Sequence, residues 1–409
     1  MSKNVKRQLP NPIKLAQLMR FRGPSLHRKK ARLARAATIW DLRDIAKKRT
    51  PQGPFDYTDG AAESEASLDR ARQAFRDIEL VPNILRDVSN VDLTREVFGV
   101  THQMPMGIAP TGFTRLMQTE GEIAGARAAQ KFGIPFSLST LGTTSIEDVV
   151  KAAPNGDNWF QLYMWKDREG SMALVERAQR AGVKNLVLTV DVPAAGQRIR
   201  DYRNGLTVPP RLTAGTVLNA IPRPAWWINF LTTPSIEFAS MKNWEGTVGE
   251  LLDYMFDPTM TWEDLKWIRE QWDGNLIVKG IQNLEDGKKA AKLGADAILL
   301  SNHGGRQLDR APVMLHLLSD IRKEFKKDFE IHIDTGIMHG ADVLAALAKG
   351  AQFAYIGRAY LYGLMAGGQD GVEKALEIMR TQMVRNMKLL GVNSLDELEP
   401  GHVRFLNRQ

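Results

Sequence analysis

The stretch DAILLSNHGGRQLD, residues 296–309, carries the first reading of the fold. Asp296-Ala-Ile-Leu-Leu300 is apolar, uninterrupted and too short for a helix, so it reads as a buried strand. It breaks at once into His303, Gly304, Gly305 and Arg306, with no helix signal before Pro312. A continuous apolar strand ending in a glycine-softened, charged turn belongs in a parallel sheet covered by helices. In such sheets the functional groups stand on the loops after the strands.

The same unit recurs on both sides of that stretch. Short apolar runs lie at 106–110, 136–140, 159–164, 185–191, 275–280, 296–302, 330–336 and 352–358. Amphipathic segments such as EGEIAGARAAQKFG, GSMALVERAQRAG and GADVLAALAKG separate them, each closing near a glycine, as helix C-caps do. Eight strand–helix units predict an α/β fold, a (β/α)8 barrel. An open, doubly wound sheet is the alternative. The chain has no G-x-G, so a nicotinamide-binding Rossmann turn is absent. Strands four and five stand about 80 residues apart, and the gap holds PRPAWWINFLTTPSIEFASM (222–241). Connections of that length serve as lids or binding loops, or stay unstructured. The expected organisation is a basic arm over 1–38, a barrel unit over 39–400 with a helix near 39–48 and an insertion at 199–262, and a tail over 401–409.

Nearly every strand end is polar. The ends read Pro110-Thr111-Gly112, Ser139-Thr140, Gln161-Leu162-Tyr163, Thr189-Val190-Asp191, Lys279-Gly280, Ser301-Asn302-His303, Asp334-Thr335-Gly336 and Gly357-Arg358. One polar end is noise, but eight in succession make a site at the barrel's C-terminal face. Gly336, Gly357 and Arg358 stand where barrels hold phosphate, and the other ends offer amides and hydroxyls for a flat polar ring, with Lys279 as its cation. A phosphorylated planar cofactor such as FMN suits both sets. Asp191, Arg198, His303 and Arg306 add an acid–base group and two guanidiniums, the equipment for gripping a carboxylate and moving a proton. Arg200 is a second candidate for the part given to Arg198. Arg306 alone could be a surface ion pair, and His332, alternating inside a strand, reads as core packing.

The 409 residues include no cysteine, which excludes disulfides and thiolate metal sites, and no metal site is expected. No apolar run approaches membrane-spanning length, and the N-terminus lacks the apolar region of a secretory signal. Net charge is +8 and uneven. Residues 1–50 hold fifteen Lys and Arg against two acids, a charge of +13, while the remainder, with 40 basic and 45 acidic residues, carries −5. A basic arm suits anionic lipid or a face of its own assembly. No nucleic-acid-binding motif accompanies it.

The motif S-N-H-G-G-R-Q-L-D, with the other strand ends, resembles the FMN-dependent L-2-hydroxy acid oxidizing family over about 39–400. Within it, VKRQLPNP, APTGFTRLMQTEGEIAGA and GRAYLYGLMAGG are most similar to the quinone-linked L-lactate dehydrogenases of respiratory chains. The resemblance implies FMN as cofactor and L-lactate or a related small 2-hydroxy acid as substrate. His303 is then the base and Asp191 its orienting partner. Arg198 and Arg306 bind the substrate carboxylate, Tyr57 and Tyr163 hydrogen-bond the substrate, and Leu141 lies beside it. Lys279 stands by the flavin N1/C2 oxygen. Pro110, Thr111, Gly112, Ser139, Gln161, Thr189 and Ser301 hold the ring and ribityl chain. Asp334, Thr335, Gly336, Ile337, Met338, Gly357 and Arg358 hold the ribityl and phosphate groups. The resemblance further implies a quinone acceptor and a homotetramer. The 205–260 insertion, where Trp226, Trp227 and Phe230 suit an interface, and the basic N-terminal arm predict a cytoplasmic protein attached peripherally to the inner face of the membrane. Two features depart from many relatives. Met338 stands where they carry an arginine (D-T-G-I-M for D-G-G-V-R), and Leu141 where glycolate oxidases carry a tryptophan. Competing readings are an oxidase that yields hydrogen peroxide, a flavin-free barrel lyase or isomerase, and a non-catalytic binding barrel.

Overall fold

The computed structural model describes residues 9–19, 27–205, 207–208, 214–240, 246–247, 255–327 and 329–406. Eight parallel strands close into one barrel: β1 (Met106–Thr111), β2 (Phe136–Ser139), β3 (Asn158–Tyr163), β4 (Asn185–Thr189), β5 (Asn275–Ile281), β6 (Ala297–Leu300), β7 (Glu330–Ile333) and β8 (Phe353–Ile356). Each strand pairs with its neighbours in chain order, and β8 pairs with β1. The (β/α)8 architecture expected from the sequence is the one observed. Most strands are shorter than their apolar runs, because the polar ends of the runs are loops.

Alternation along the strands fills the barrel interior with Trp159, Val187, Ile277, Leu299, Phe353 and Tyr355. His332 lies in that interior, fully buried, with Nδ1 3.2 Å from Tyr355 Oη and Nε2 3.1 Å from Glu330 Oε2. The same alternation turns Ser139, Gln161, Thr189, Lys279, Ser301 and Asp334 inward at the upper rim. The polar strand ends are therefore one polar layer lying on an apolar plug.

The helices start and stop where local chemistry allows. Ser145 Oγ accepts from Asp148 N ahead of the helix Ile146–Ala152, and Asn283 Oδ1 accepts from Asp286 N ahead of Leu284–Lys292. Gly133, at φ +61°, ends the helix Gly121–Phe132 with a left-handed turn.

Among the described residues, two short helices of the arm, Pro12–Leu18 and Arg28–Leu33, and then α1 (Ile39–Arg49), α2 (Gln52–Asp59) and α3 (Ala66–Arg76) precede the barrel. The last three are tied to the C-terminal face, since Ala62 N donates to Gly305 O at 2.8 Å and Ser67 N to Asp309 Oδ1 at 2.9 Å. The described arm divides in two: residues 9–19, with the helix Pro12–Leu18, are exposed, whereas the stretch from Lys29 onward is docked. Leu33 is buried, Arg32 donates to Ala366 O at 3.0 Å, and Lys29 pairs with Asp370 at 2.5 Å. Residues 1–8 and 20–26 of the arm lie outside the described residues. In the C-terminal tail, Val403–Phe405 pair antiparallel with Ile78–Leu80.

The insertion contains more helix than its irregular sequence suggested: Ile199–Asn204, Ala214–Ala220 and Pro224–Thr232. Its residues 206, 209–213, 241–245 and 248–254 lie outside the described residues. Pro224 occupies the first helical position, where a missing N–H costs nothing. Trp226 and Phe230, one turn apart, stack at 5.0 Å and face the protein, with Trp226 Nε1 donating to Leu116 O at 2.9 Å. Trp227, Ile228 and Leu231 point outward. The expected interface set of Trp226, Trp227 and Phe230 is corrected accordingly: only Trp227 of the three is exposed, because helical period places 226 and 230 on the buried face.

Candidate active site

A cleft of about 140 Å³ opens at the C-terminal face. At one end stand Tyr57, Tyr163, Arg198, His303 and Arg306, and at the other Gly336, Ile337, Met338, Gly357 and Arg358. Pro110 and Thr111 at the end of β1, Gly112 just after it, Leu141 after β2, Lys279 on β5, and Asp334 and Thr335 after β7 line it between. Ser139, Gln161, Thr189, Asp191 and Ser301 are buried just behind this wall.

The glycines of 301–309 resolve the turn. His303 sits at φ +59°, followed by Gly304 at +66° and Gly305 at +74°. A Cβ on Gly304 would lie 2.7 Å from Arg358 Nη1, and one on Gly305 would lie 2.8 Å from Leu68 N. The loop therefore passes against a charged side chain and a helix backbone, and only glycine permits it. A left-handed non-glycine residue is a strained conformation, held where a site requires it. Here it turns the imidazole into the cleft.

His303 Nδ1 lies 3.1 Å from Asp191 Oδ1, and its Nε2 lies 3.2 Å from Tyr163 Oη. Ser301 Oγ accepts from His303 N and from Lys279 Nζ, both at 3.0 Å. Burial lowers the His303 pKa, the charges of Lys279 and Arg306 add to this, and Asp191 opposes it; the imidazole is held neutral and ready to accept a proton. Burial alone would raise Asp191, but His303 and Lys279 hold it below the ordinary carboxylate value. Burial likewise raises the Tyr163 phenol, which stays protonated. Lys279, 3% exposed, has Asp334 Oδ2 at 3.6 Å as its counter-charge, so the buried ammonium is paired.

The arginines divide clearly. Arg198 and Arg306 both stand over the Tyr57 ring, at 5.5 and 4.6 Å, and Arg306 Nη1 also donates to Tyr57 O. Asp201, 3.7 Å from Arg198, is the nearby carboxylate, and burial holds its pKa above the ordinary value. Two guanidiniums stand together with one carboxylate nearby, an arrangement that fits an incoming carboxylate. Arg200 points elsewhere: it pairs with Asp59 at 3.0 Å and Glu65 at 2.5 Å, on the outer side of α2. Of the two, Arg198 lines the cleft and Arg200 does not.

The last residues of the motif are ties. Gln307 Nε2 donates to Ala194 O at 2.8 Å, and Gly196 N donates back to Gln307 Oε1 at 3.2 Å, which joins the β6 loop to the β4 loop. Asp309 accepts from Ser64 and Ser67 and anchors the α2–α3 turn. Phe256, from the end of the insertion, packs edge-on against Tyr163 at 5.2 Å and lines the cleft. Arg72, from α3, lines its far end. Sequence reasoning named neither. The FD pair at 256–257 is one weak signal, but nothing marks Arg72 among the exposed-looking basic residues of ASLDRARQAFR.

The upper layer fits a flavin. Among the described residues, Gln161 Nε2 and Thr189 Oγ1 are buried without a hydrogen-bond partner, a costly state for inward-facing polar groups. Ser139 Oγ donates to Gln161 Oε1 at 3.0 Å, fixing the amide so that its N–H2 faces the interior. A flat ring with carbonyl and nitrogen acceptors satisfies these donors, Lys279 stands beside it, and the glycine-lined end with Arg358 suits a phosphate.

Comparison with known proteins agrees. The FMN-dependent dehydrogenase family pattern matches residues 46–405. A Mycobacterium tuberculosis (strain ATCC 25618 / H37Rv) protein named "Putative L-lactate dehydrogenase" is 58% identical over 99% of this chain and 98% of its own length. The L-lactate dehydrogenase of Vibrio cholerae serotype O1 (strain M66-2) is 40% identical over 88% of this chain and 96% of its own. Among solved structures, the monotopic membrane protein (S)-mandelate dehydrogenase superposes with a TM-score of 0.86 at 35% identity, covering 91% of this chain and 100% of that one.

Proposed function

We infer the function from the fact that this chain belongs to the FMN-dependent dehydrogenase family: it oxidises L-lactate to pyruvate and passes the electrons to a membrane quinone. The observation that carries the reading is the line Asp191–His303–Tyr163 set beside the paired guanidiniums of Arg198 and Arg306. The names of the 58% and 40% identical relatives support lactate as the substrate. Leu141 and Phe256 give the cleft an apolar wall.

Oxidation of the 2-hydroxy acid removes two electrons and two protons. Bound FMN would supply the acceptor for both electrons and for the proton that His303 does not take. Arg198 and Arg306 grip the carboxylate and so place the hydroxyl-bearing carbon, an orientation that bidentate arginine contacts enforce. Tyr163 Oη, kept protonated, donates to a substrate oxygen. Neutral His303 takes one substrate proton at Nε2 while Asp191 stabilises the imidazolium through Nδ1. Lys279 offers positive charge where the ring gains electrons. Gln161, Thr189 and Ser139 would hold the ring and Gly357-Arg358 the phosphate.

Membrane attachment is the finer part of the reading. Trp227, Ile228 and Leu231 on Pro224–Thr232, with Val217, Leu218 and Ile221 on or just after Ala214–Ala220, expose apolar side chains on the insertion. No described helix is long and apolar enough to cross a membrane. The structural relative's description as a monotopic membrane protein supports a surface attachment here.

The decisive experiment is anaerobic titration of purified holoprotein with L-lactate. Flavin absorbance should bleach with one pyruvate formed per flavin, and a short-chain quinone should restore it faster than oxygen. Absence of bound flavin removes the reading, bleaching by (S)-mandelate in preference to L-lactate removes the substrate, and faster recovery with oxygen makes the chain an oxidase.

A further inference from the structure

The far end of the cleft is short of free charge for a phosphate. A phosphate monoester carries nearly two negative charges near neutral pH and three strong acceptor oxygens. Met338 offers neither cation nor N–H through its side chain, which is buried at 6% exposure. The backbone donors that follow are already used. Met338 N and His339 N donate to Asp342 Oδ2 at 2.8 and 2.9 Å, Gly340 N to Gln382 Oε1 at 2.9 Å, and Ala341 N to His339 Nδ1 at 3.0 Å. Arg358 is largely spent as well. Its Nε donates to Thr58 O at 2.9 Å, Nη1 to Gly304 O at 2.8 Å and Nη2 to Gly60 O at 2.6 Å.

One further guanidinium reaches this end. Arg72, on the cleft side of α3, lines the cavity together with Gly336, Met338, Gly357 and Arg358. Its guanidinium stands 5.0 Å from the centre of the Trp40 ring and 3.5 Å from Tyr362 Oη. Among the described residues it has no carboxylate partner. Arg43, by contrast, is paired with Asp59 at 2.6 Å, and Arg200 with Asp59 and Glu65. Trp40 and Tyr362 hold the side chain in place without neutralising it. Positioned, uncompensated positive charge beside glycine backbone is the form of an anion site.

We propose that Arg72 is the free cation for the phosphate of the bound flavin, supplied by helix α3 in place of one at position 338. The proposal rests on the FMN reading above. The N-terminal segment thereby becomes part of the cofactor site as well as the substrate site, where it contributes Tyr57.

The test compares two flavins on full-length protein stripped of cofactor, since riboflavin lacks only the phosphate. Binding is followed by quenching of flavin fluorescence. Arg72→Met should weaken FMN about 10- to 100-fold, the worth of one charge-assisted contact, and change riboflavin affinity less than about twofold. Arg72→Lys should fall between, keeping the charge but losing the fork. The melting temperatures of the flavin-free forms should match the parent, and if Arg72→Met fails to fold, Arg72→Lys carries the comparison alone. Equal weakening of both flavins, or unaltered FMN affinity, overturns the role of Arg72 while leaving the FMN reading intact. Parent protein that binds neither flavin overturns both.

Discussion

Asp191 and His303 meet on the floor of the cleft, Oδ1 of one 3.1 Å from Nδ1 of the other, so that Nε2 is left facing Tyr163 and the open cavity. The two come from loops after different strands, β4 and β6, and Gln307 bridges those loops. The geometry of the base is thus set by the loop–loop contact as much as by either residue.

His303→Gln should retain flavin and lose turnover. A positioned base contributes about 10²- to 10⁴-fold, and glutamine keeps volume and polarity without basicity. Stopped-flow bleaching of the flavin by L-lactate measures this directly. Bleaching at the parent rate would remove His303 from the reaction.

The pH profile should carry the same signature. The neutral imidazole is the active form, and burial with the nearby cations lowers its pKa from the ordinary value of 6.5. The acid limb of kcat/KM should therefore have its midpoint below that value, with activity retained as pH falls through 6.5. Asp191→Asn removes the charge that opposes the lowering, so the limb should move further to acid while kcat drops. A limb that stays in place would show that another group controls it.

Arg198→Met and Arg306→Met should each raise the KM for L-lactate and lower kcat, because the carboxylate is both bound and oriented by the pair. Arg200→Met is the informative control: it breaks the pairs with Asp59 and Glu65 and should reduce thermal stability more than it alters the KM. If Arg200→Met raised the KM as much as Arg198→Met, the division of roles would fail.

The barrel and its chemical face were legible because each strand announces itself locally: an apolar run, then a polar end. The parts that were not legible depend on elements meeting from distant stretches. Arg72 reads as one of several arginines on an amphipathic helix, and only the docking of α3 against the β7 and β8 ends turns it inward. Gln307 and Asp309 look like further site residues in the motif, yet they tie loops together. Trp226 and Phe230 were readable in principle, since a spacing of four places them on one helical face.

Asp342 should make stability depend on pH. Burial pushes its carboxyl up to about 7, against hydrogen bonds from Met338 N and His339 N that favour the charged form. Arg72, Arg76 and His339 line the same small cavity. The folded state binds this proton more tightly than the unfolded chain, so its stabilisation is complete below the unfolded carboxylate range and is lost as pH rises through about 7. Each tenfold excess of proton affinity in the folded over the unfolded chain is worth about 1.4 kcal/mol. Asp342→Asn removes that excess and should flatten the fall in melting temperature between roughly pH 4 and 8. A variant with the parent's slope would place the titration elsewhere.

The outward face of Pro224–Thr232 should separate catalysis from membrane attachment. Trp227, Ile228 and Leu231 are exposed and lie away from the cleft lining, whereas Trp226 and Phe230 support the fold. Burying each outward side chain in a lipid interface is worth about 1.5–3 kcal/mol at most, so replacing all three with serine should weaken vesicle binding by on the order of 100-fold or more. Sedimentation with vesicles containing anionic lipid reads the attachment. Dye-linked lactate oxidation reads the chemistry and should stay near the parent value, while quinone reduction in the vesicles falls. Were the triple variant to sediment as the parent does, the attachment would belong to another surface. A parallel loss of dye-linked activity would make the helix a lid over the cleft.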